Sequence, residues 1–149
     1  MQIIGFSFTK ISVTKSPDFK EAANVNTNVE FTDITQEKTS LIQNITLEPL
    51  KISFKFNVSY YNEEESKKDV QERKNKEAEI LFEGGVLLST NNEETKEILK
   101  SWKKKELPEA ARESIFNLIL RKCSTKALTL EDEFNLPTHI PLPAYNSSK

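Results

Sequence analysis

The alternation of apolar and polar positions divides the chain into a strand-rich first half and a helical second half. Over residues 3–13, Ile4, Phe6 and Phe8 alternate with Gly5, Ser7 and Thr9, the period of a half-buried strand. The phase slips before Ile11 and Val13, which predicts a bulge near Lys10. Residues 25–34 predict a second strand, with Val25, Thr27, Val29 and Phe31 on one face. The connection between them, 14–24, is polar, contains Ser16-Pro17-Asp18, and has one large apolar residue, Phe19. In 35–49, Leu41, Ile42, Ile45 and Leu47 fit neither period. The cleanest strand is 50–60, where Leu50, Ile52, Phe54, Phe56, Val58 and Tyr60 alternate with Lys51, Ser53, Lys55, Asn57 and Ser59. That pattern belongs to an antiparallel strand with one buried face. Residues 62–77 are almost wholly polar and predict a long, solvated hairpin excursion, with partial helix as the alternative because Glu and Lys favour it. A fourth strand follows at 78–89, with Ala78, Ile80, Phe82, Val86 and Leu88 in phase and a bend or bulge at Gly84-Gly85.

The period then changes to that of a helix. Thr90 to Glu93 and Asn91 to Glu94 form two overlapping capping boxes. Ile98, Leu99 and Trp102 follow at helical spacing, and Lys103, Lys104 and Lys105 suit the negative end of a helix dipole. Pro108 opens a second helix, at the position where a missing N–H is tolerated. Its apolar stripe is Ala111, Ile115, Leu118, Ile119 and Cys123, with an end expected near Thr125. Residues 127–134 read as a further helical turn or as an extended segment. Pro137, Pro141 and Pro143 then exclude a regular helix and predict an extended, polyproline-like arm. Strands followed by helices give an α+β fold, a four-stranded antiparallel sheet with helices packed on one face. The expected organisation is one domain over 1–149: four strands in 1–89, a helical half in 90–134 and a proline-rich arm in 135–149.

Composition narrows the function classes. The chain has 149 residues and a net charge of -2, which argues against nucleic-acid binding driven by dense positive charge. No apolar run reaches the roughly 18 residues of a membrane span, and no secretion signal is expected. One cysteine cannot form an intrachain disulfide and suits the cytoplasm.

Catalytic chemistry finds few residues to use. The single histidine, His139, lies in the arm, and one cysteine with one histidine cannot make a zinc set. Cys123 reads as a core thiol rather than as a partner of His139, because it continues an apolar stripe. Glu63, Glu64, Glu65 and Asp69 read as a solvated face rather than a cation site. Gly84-Gly85 lacks the glycine spacing and lysine of a phosphate loop. Trp102 among Lys100, Lys103, Lys104 and Lys105 reads as a core-facing aromatic beside a dipole-compensating cluster. Three matches to the glycosylation pattern, beginning at Asn44, Asn57 and Asn146, read as chance. No cofactor and no enzymatic activity are expected. Apolar residues in polar settings remain: Phe19 in its connection, Phe134 among Glu131, Asp132, Glu133 and Asn135, and Ile140 and Leu142 in the arm.

The stretch from Pro108 through Ala111-Arg112-Glu113-Ser114-Ile115-Phe116-Asn117-Leu118 is similar to the "P-x-A-R-E-x-I-x-N-L" segment of the SecB family of protein-export chaperones, with one extra residue after the proline. Phe82-Glu83-Gly84-Gly85-Val86 resembles the strand end before that family's helices, and Leu128-Thr129-Leu130 with Phe134-Asn135 resembles its "L-x-L … N-F" region. The resemblance implies a four-stranded antiparallel sheet, a long helix, and a homotetramer built as a dimer of dimers. It implies ATP-independent holding of unfolded polypeptide in an apolar groove, in a cytoplasmic protein. By position, Phe19 would form the crossover wall, Val25, Val29 and Phe31 the floor, and Phe134 the C-terminal wall; Ile140 and Leu142, as apolar residues of the arm, are expected to add to the client-binding surface. The family's C-terminal helical segment contacts a translocase motor. The resemblance implies a link to protein export, while the proline-rich arm that replaces this segment here leaves contact with the motor open. A dedicated module holding one partner, such as an antitoxin, is the alternative reading; neither reading involves nucleic acid or membrane insertion.

Overall fold

The computed structural model describes all residues except 20–23, 38, 43, 44, 48, 63, 64, 66, 70–74, 146, 148 and 149, and only the backbone of 39–42 and 45–47. The elements are β1 (Gln2–Lys15), β2 (Asn24–Gln36), β3 (Thr39–Ile42), β4 (Ile45–Leu47), β5 (Leu50–Tyr61), β6 (Ala78–Ser89), α1 (Asn92–Trp102) and α2 (Glu109–Glu133). The main sheet is four-stranded, in the order β1-β6-β5-β2, with every pair antiparallel. The stretch that fits neither period, 35–49, contains a separate two-stranded antiparallel hairpin, β3-β4.

The alternation on β5 predicts its burial residue by residue. Leu50, Ile52, Phe54, Phe56, Val58 and Tyr60 are all 0–1% exposed, and the intervening residues from Lys51 to Asn57 are half-buried. Ala78, Ile80, Phe82, Val86 and Leu88 of β6 are buried on the same face. Helix α2 covers this face with Ala111, Ile115, Ile119, Cys123, Ala127 and Glu131, one buried residue in every four. Each four-residue step advances about 40° around an ideal helix, so the buried line slants around α2 and Glu131 comes to face the opposite flank from Ala111. At ~1.5 Å per residue, the 25 residues of α2 match the length of the 12-residue strands.

Three expectations change. The inward phase of β1 is carried by Ile3, Phe6 and Phe8, while Ile4 is 47% exposed. A register shift between Ile3 and Gly5 places Ile4 outward, in addition to the expected shift between Phe8 and Lys10. Gly84-Gly85 does not bulge β6, whose pairing with β5 runs unbroken through Phe54↔Gly84 and Ser53↔Gly85. The glycine is needed for closeness instead: a Cβ on Gly84 would strike the Ser7 carbonyl oxygen and lie 2.9 Å from Phe54 Cζ. Helix α2 runs past Thr125 to Glu133, because Ala127 and Glu131 extend its buried line.

The predicted caps form in one of the two overlapping ways. Asn91 is the N-cap of α1 and accepts from the Glu94 N–H at 2.8 Å, while the Thr90 and Thr95 hydroxyls bond each other at 2.6 Å. Trp102 is half-buried against the core edge, with Lys105 Nζ 4.9 Å from its ring centre. Among the described residues no helix is long and apolar enough to cross a membrane.

Gly84→Ala should lower stability by about 2 kcal/mol or more, since its Cβ meets backbone and a packed ring. Gly85→Ala should cost less than about 1 kcal/mol, because its nearest obstacle is the flexible end of Lys51. Urea unfolding midpoints of the two variants test this difference.

Candidate functional site

Glu131 is the only described acidic side chain with no exposure at all, and the site is built around it. A carboxylate taken out of water needs partners at both oxygens. The Tyr60 hydroxyl at the end of β5 donates to Oε2 at 2.5 Å. His139 Nδ1, in the arm, lies 2.7 Å from Oε1. The imidazole is itself buried, its side chain 2% exposed, and its ring stands edge-on to Phe56 at 6.2 Å. His139 Nε2 is buried with no hydrogen-bond partner among the described residues. Burial raises the Tyr60 pKa strongly, reinforced by the hydrogen bond to Glu131 and by that carboxylate's charge. Tyr60 is therefore a fixed donor, not a base.

Around this buried contact the chain turns back on itself. Leu136 N donates to the Glu131 carbonyl at 2.8 Å, closing the end of α2, and Asn135 takes the left-handed backbone region at φ 54°. Leu136 is buried, while Phe134, Ile140 and Leu142 are 40%, 39% and 53% exposed. A cleft of about 540 Å³ opens here, lined by Phe19, Leu128, Leu136 and Leu142 with Asp132 and Asn135 at its polar rim. Lys15 ties the cleft together: its Nζ donates to the Phe134 carbonyl at 2.8 Å and lies 5.1 Å from the Phe19 ring centre.

The candidate groove residues thus separate into two groups. Phe19 and Leu142 line the cleft at the end of the sheet where β1 leaves it, the Phe134 backbone is tied there through Lys15, and Ile140 lies on the same arm. Val25 pairs with Tyr60, Val29 with Phe56 and Phe31 with Phe54, on the edge strand β2. Phe31 stands six residues along β5 from Tyr60, roughly 20 Å away, and does not reach the cleft. All three β2 residues are half-buried and pack against the core.

Sequence reasoning missed Glu131 and His139 as partners. Glu131 read as part of a polar setting around Phe134, although it continues the four-residue line of Ala111, Ile115, Ile119, Cys123 and Ala127. His139 has no comparable periodic signal, because an extended arm carries none. Cys123, as expected, is a fully buried thiol, and His139 pairs with Glu131 instead. Of the acidic cluster in 62–77, Glu63 and Glu64 lie outside the described residues. Glu65 is buried and paired with Lys68 at 3.0 Å. Among the described residues no group of acidic, histidine and cysteine side chains is arranged to hold a metal ion.

Comparison with protein-family models, with curated proteins and with solved structures finds no match to this chain.

Burial pushes the Cys123 thiol up to about 12, so it stays protonated and shielded at neutral pH. An aromatic disulfide reagent at pH 8 should leave the folded protein unlabelled and react with one thiol per chain after denaturation. Rapid labelling of the folded form would place Cys123 outside the core.

Proposed function

We propose that this chain is an ATP-independent chaperone of the SecB kind, which holds unfolded or non-native polypeptide in an apolar surface groove. The observation that carries the reading is the cleft where the crossover after β1 meets the end of α2 and the arm. It joins Phe19 to Leu142 and Leu136, with Phe134 tethered beside it through Lys15. Aromatic and aliphatic side chains on an open surface suit clients of mixed sequence, because burial is nondirectional and scales with area. The α+β architecture, a four-stranded antiparallel sheet under a long helix, supports the same reading. So does the segment from Ala111 to Leu118.

In this reading the protein is non-enzymatic, cytoplasmic and a homotetramer assembled as a dimer of dimers. Self-assembly is supported by β1, a 14-residue edge strand on which Ile4 and Ile11 are 47% and 45% exposed. Light scattering at micromolar concentration should give a dimer or tetramer mass; a monomer would rule out the assembly.

The chaperone activity has its own test. The protein should suppress aggregation of a slowly refolding client at near-stoichiometric ratio without nucleotide. Phe19→Ala combined with Phe134→Ala should weaken client binding by about 1–3 kcal/mol with little change in unfolding midpoint. A large drop in midpoint with intact client affinity would mean that these aromatics serve folding, and absence of suppression by the folded protein in excess would refute the activity.

A further inference from the structure

We propose that the proline-rich arm is a releasable strap, held across the sheet by the buried contact between His139 and Glu131, and that its release uncovers a seat for an extended chain over β5 and β2. The seat deepens the holdase reading, but the strap itself does not depend on it.

The arm has little else to hold it. Pro137, Pro141 and Pro143 supply no backbone donors. Among the described residues no backbone–backbone hydrogen bond ties 137–145 to the rest of the chain. Leu136 anchors the start of the arm, and Ile140 and Leu142 remain half-exposed. His139 is the one arm side chain between them that is driven into the interior, and Glu131 is its only polar partner among the described residues. Four residues N-terminal and four C-terminal to His139 the arm passes Asn135 in a left-handed turn and then Pro143, so the histidine stands at the middle of a short span.

The chemistry of the contact makes the strap reversible. An aliphatic anchor that left the core would expose apolar surface with no hydrogen bond to water to offset the cost. When His139 lifts away, water replaces its bond on Glu131 Oε1 and hydrates the imidazole, including the Nε2 that has no partner in the docked state. Tyr60 continues to donate to Oε2, so the carboxylate keeps its position on α2. Beneath the histidine lies the Phe56 ring, with Val29 in register beside it and Val25 beside Tyr60. Release of the arm therefore exposes Phe56 next to two half-buried valines, an apolar strip with one acceptor group at its end. The residues that the resemblance assigns to a groove floor are, in this chain, beside the arm's own footing.

The strap can be tested with the arm's own sequence as the probe. A synthetic peptide of residues 136–143 should bind full-length His139→Ala roughly tenfold or more tightly than the wild type, whose tethered arm competes at high effective concentration. Backbone nitrogen-15 relaxation on the same variant should show the amides of Thr138, Ile140 and Leu142 gaining nanosecond motion, with β5 and α2 unchanged. His139→Asn, whose side-chain N–H reproduces the Nδ1 donation to Glu131, should hold the arm as the wild type does. An arm that stays as ordered in His139→Ala as in the wild type, a His139→Ala protein that becomes mobile throughout or fails to fold, or a folded His139→Asn that frees the arm as fully as alanine would each overturn the proposal. An unfolded client should also bind His139→Ala more tightly than wild type. If the peptide seats but a client binds neither protein, the strap stands and the holdase reading fails.

Discussion

The inner face of β5 is the constraint on which the rest of the chain depends. Six alternating side chains from Leu50 to Tyr60 are excluded from water, each contributing about 1.5–3 kcal/mol through burial. A strand buried so completely on one face must sit inside the sheet, so β6 and β2 flank it and β1 is placed at the far edge. It must also be roofed along its whole length, and a helix as long as α2 answers that need. The small residues Ala111, Cys123 and Ala127 at the contact let the helix lie close. The stacked pair Phe56–Phe82, with ring centres 5.7 Å apart, carries the core across to the neighbouring strand.

Legibility in the sequence tracks how far each feature depends on local periodicity. The faces of β5 and β6 were readable because each strand repeats one pattern over many residues, and nothing distant alters it. The caps of α1 were readable for a similar reason, since Asn91 and Glu94 act on each other across one turn. Ile4 defeated the same reasoning. Its outward position follows from a bulge set by pairing with β6, and a bulge shifts phase without leaving a composition signal. The glycine pair showed the inverse problem: Gly84 marks a place where the Ser7 carbonyl and the Phe54 ring come close, and both lie outside its local sequence.

The site was legible only in part. Phe19, Leu142 and Phe134 stood out as apolar residues in polar surroundings; Phe19 and Leu142 line one cleft, and Lys15 ties the Phe134 carbonyl beside it. The partner that organises their neighbourhood is a charged residue inside the core, which binary patterning assigns to the surface. Glu131 is buried because Tyr60 and His139 reach it from two different elements, 71 and 8 residues away. Such a contact is a property of the assembled fold. The helix period at Glu131 hints at burial, but nothing in the extended arm announces which of its residues turns inward.

The irregularities of the sheet are distributed unevenly, and this has a consequence for growth. The central pair β5-β6 keeps one continuous register, whereas both edge strands are interrupted: β1 between Ile3 and Gly5 and between Phe8 and Lys10, and β2 between Phe31 and Asp33. An interrupted edge offers a newcomer only short runs of evenly spaced donors and acceptors. The longest uninterrupted run on β2 is the eight residues from Asn24 to Phe31, and on β1 it is the six from Lys10 to Lys15. A foreign strand can therefore dock along part of an edge but cannot extend the ladder over its full length, so the sheet resists templating fibrillar stacks.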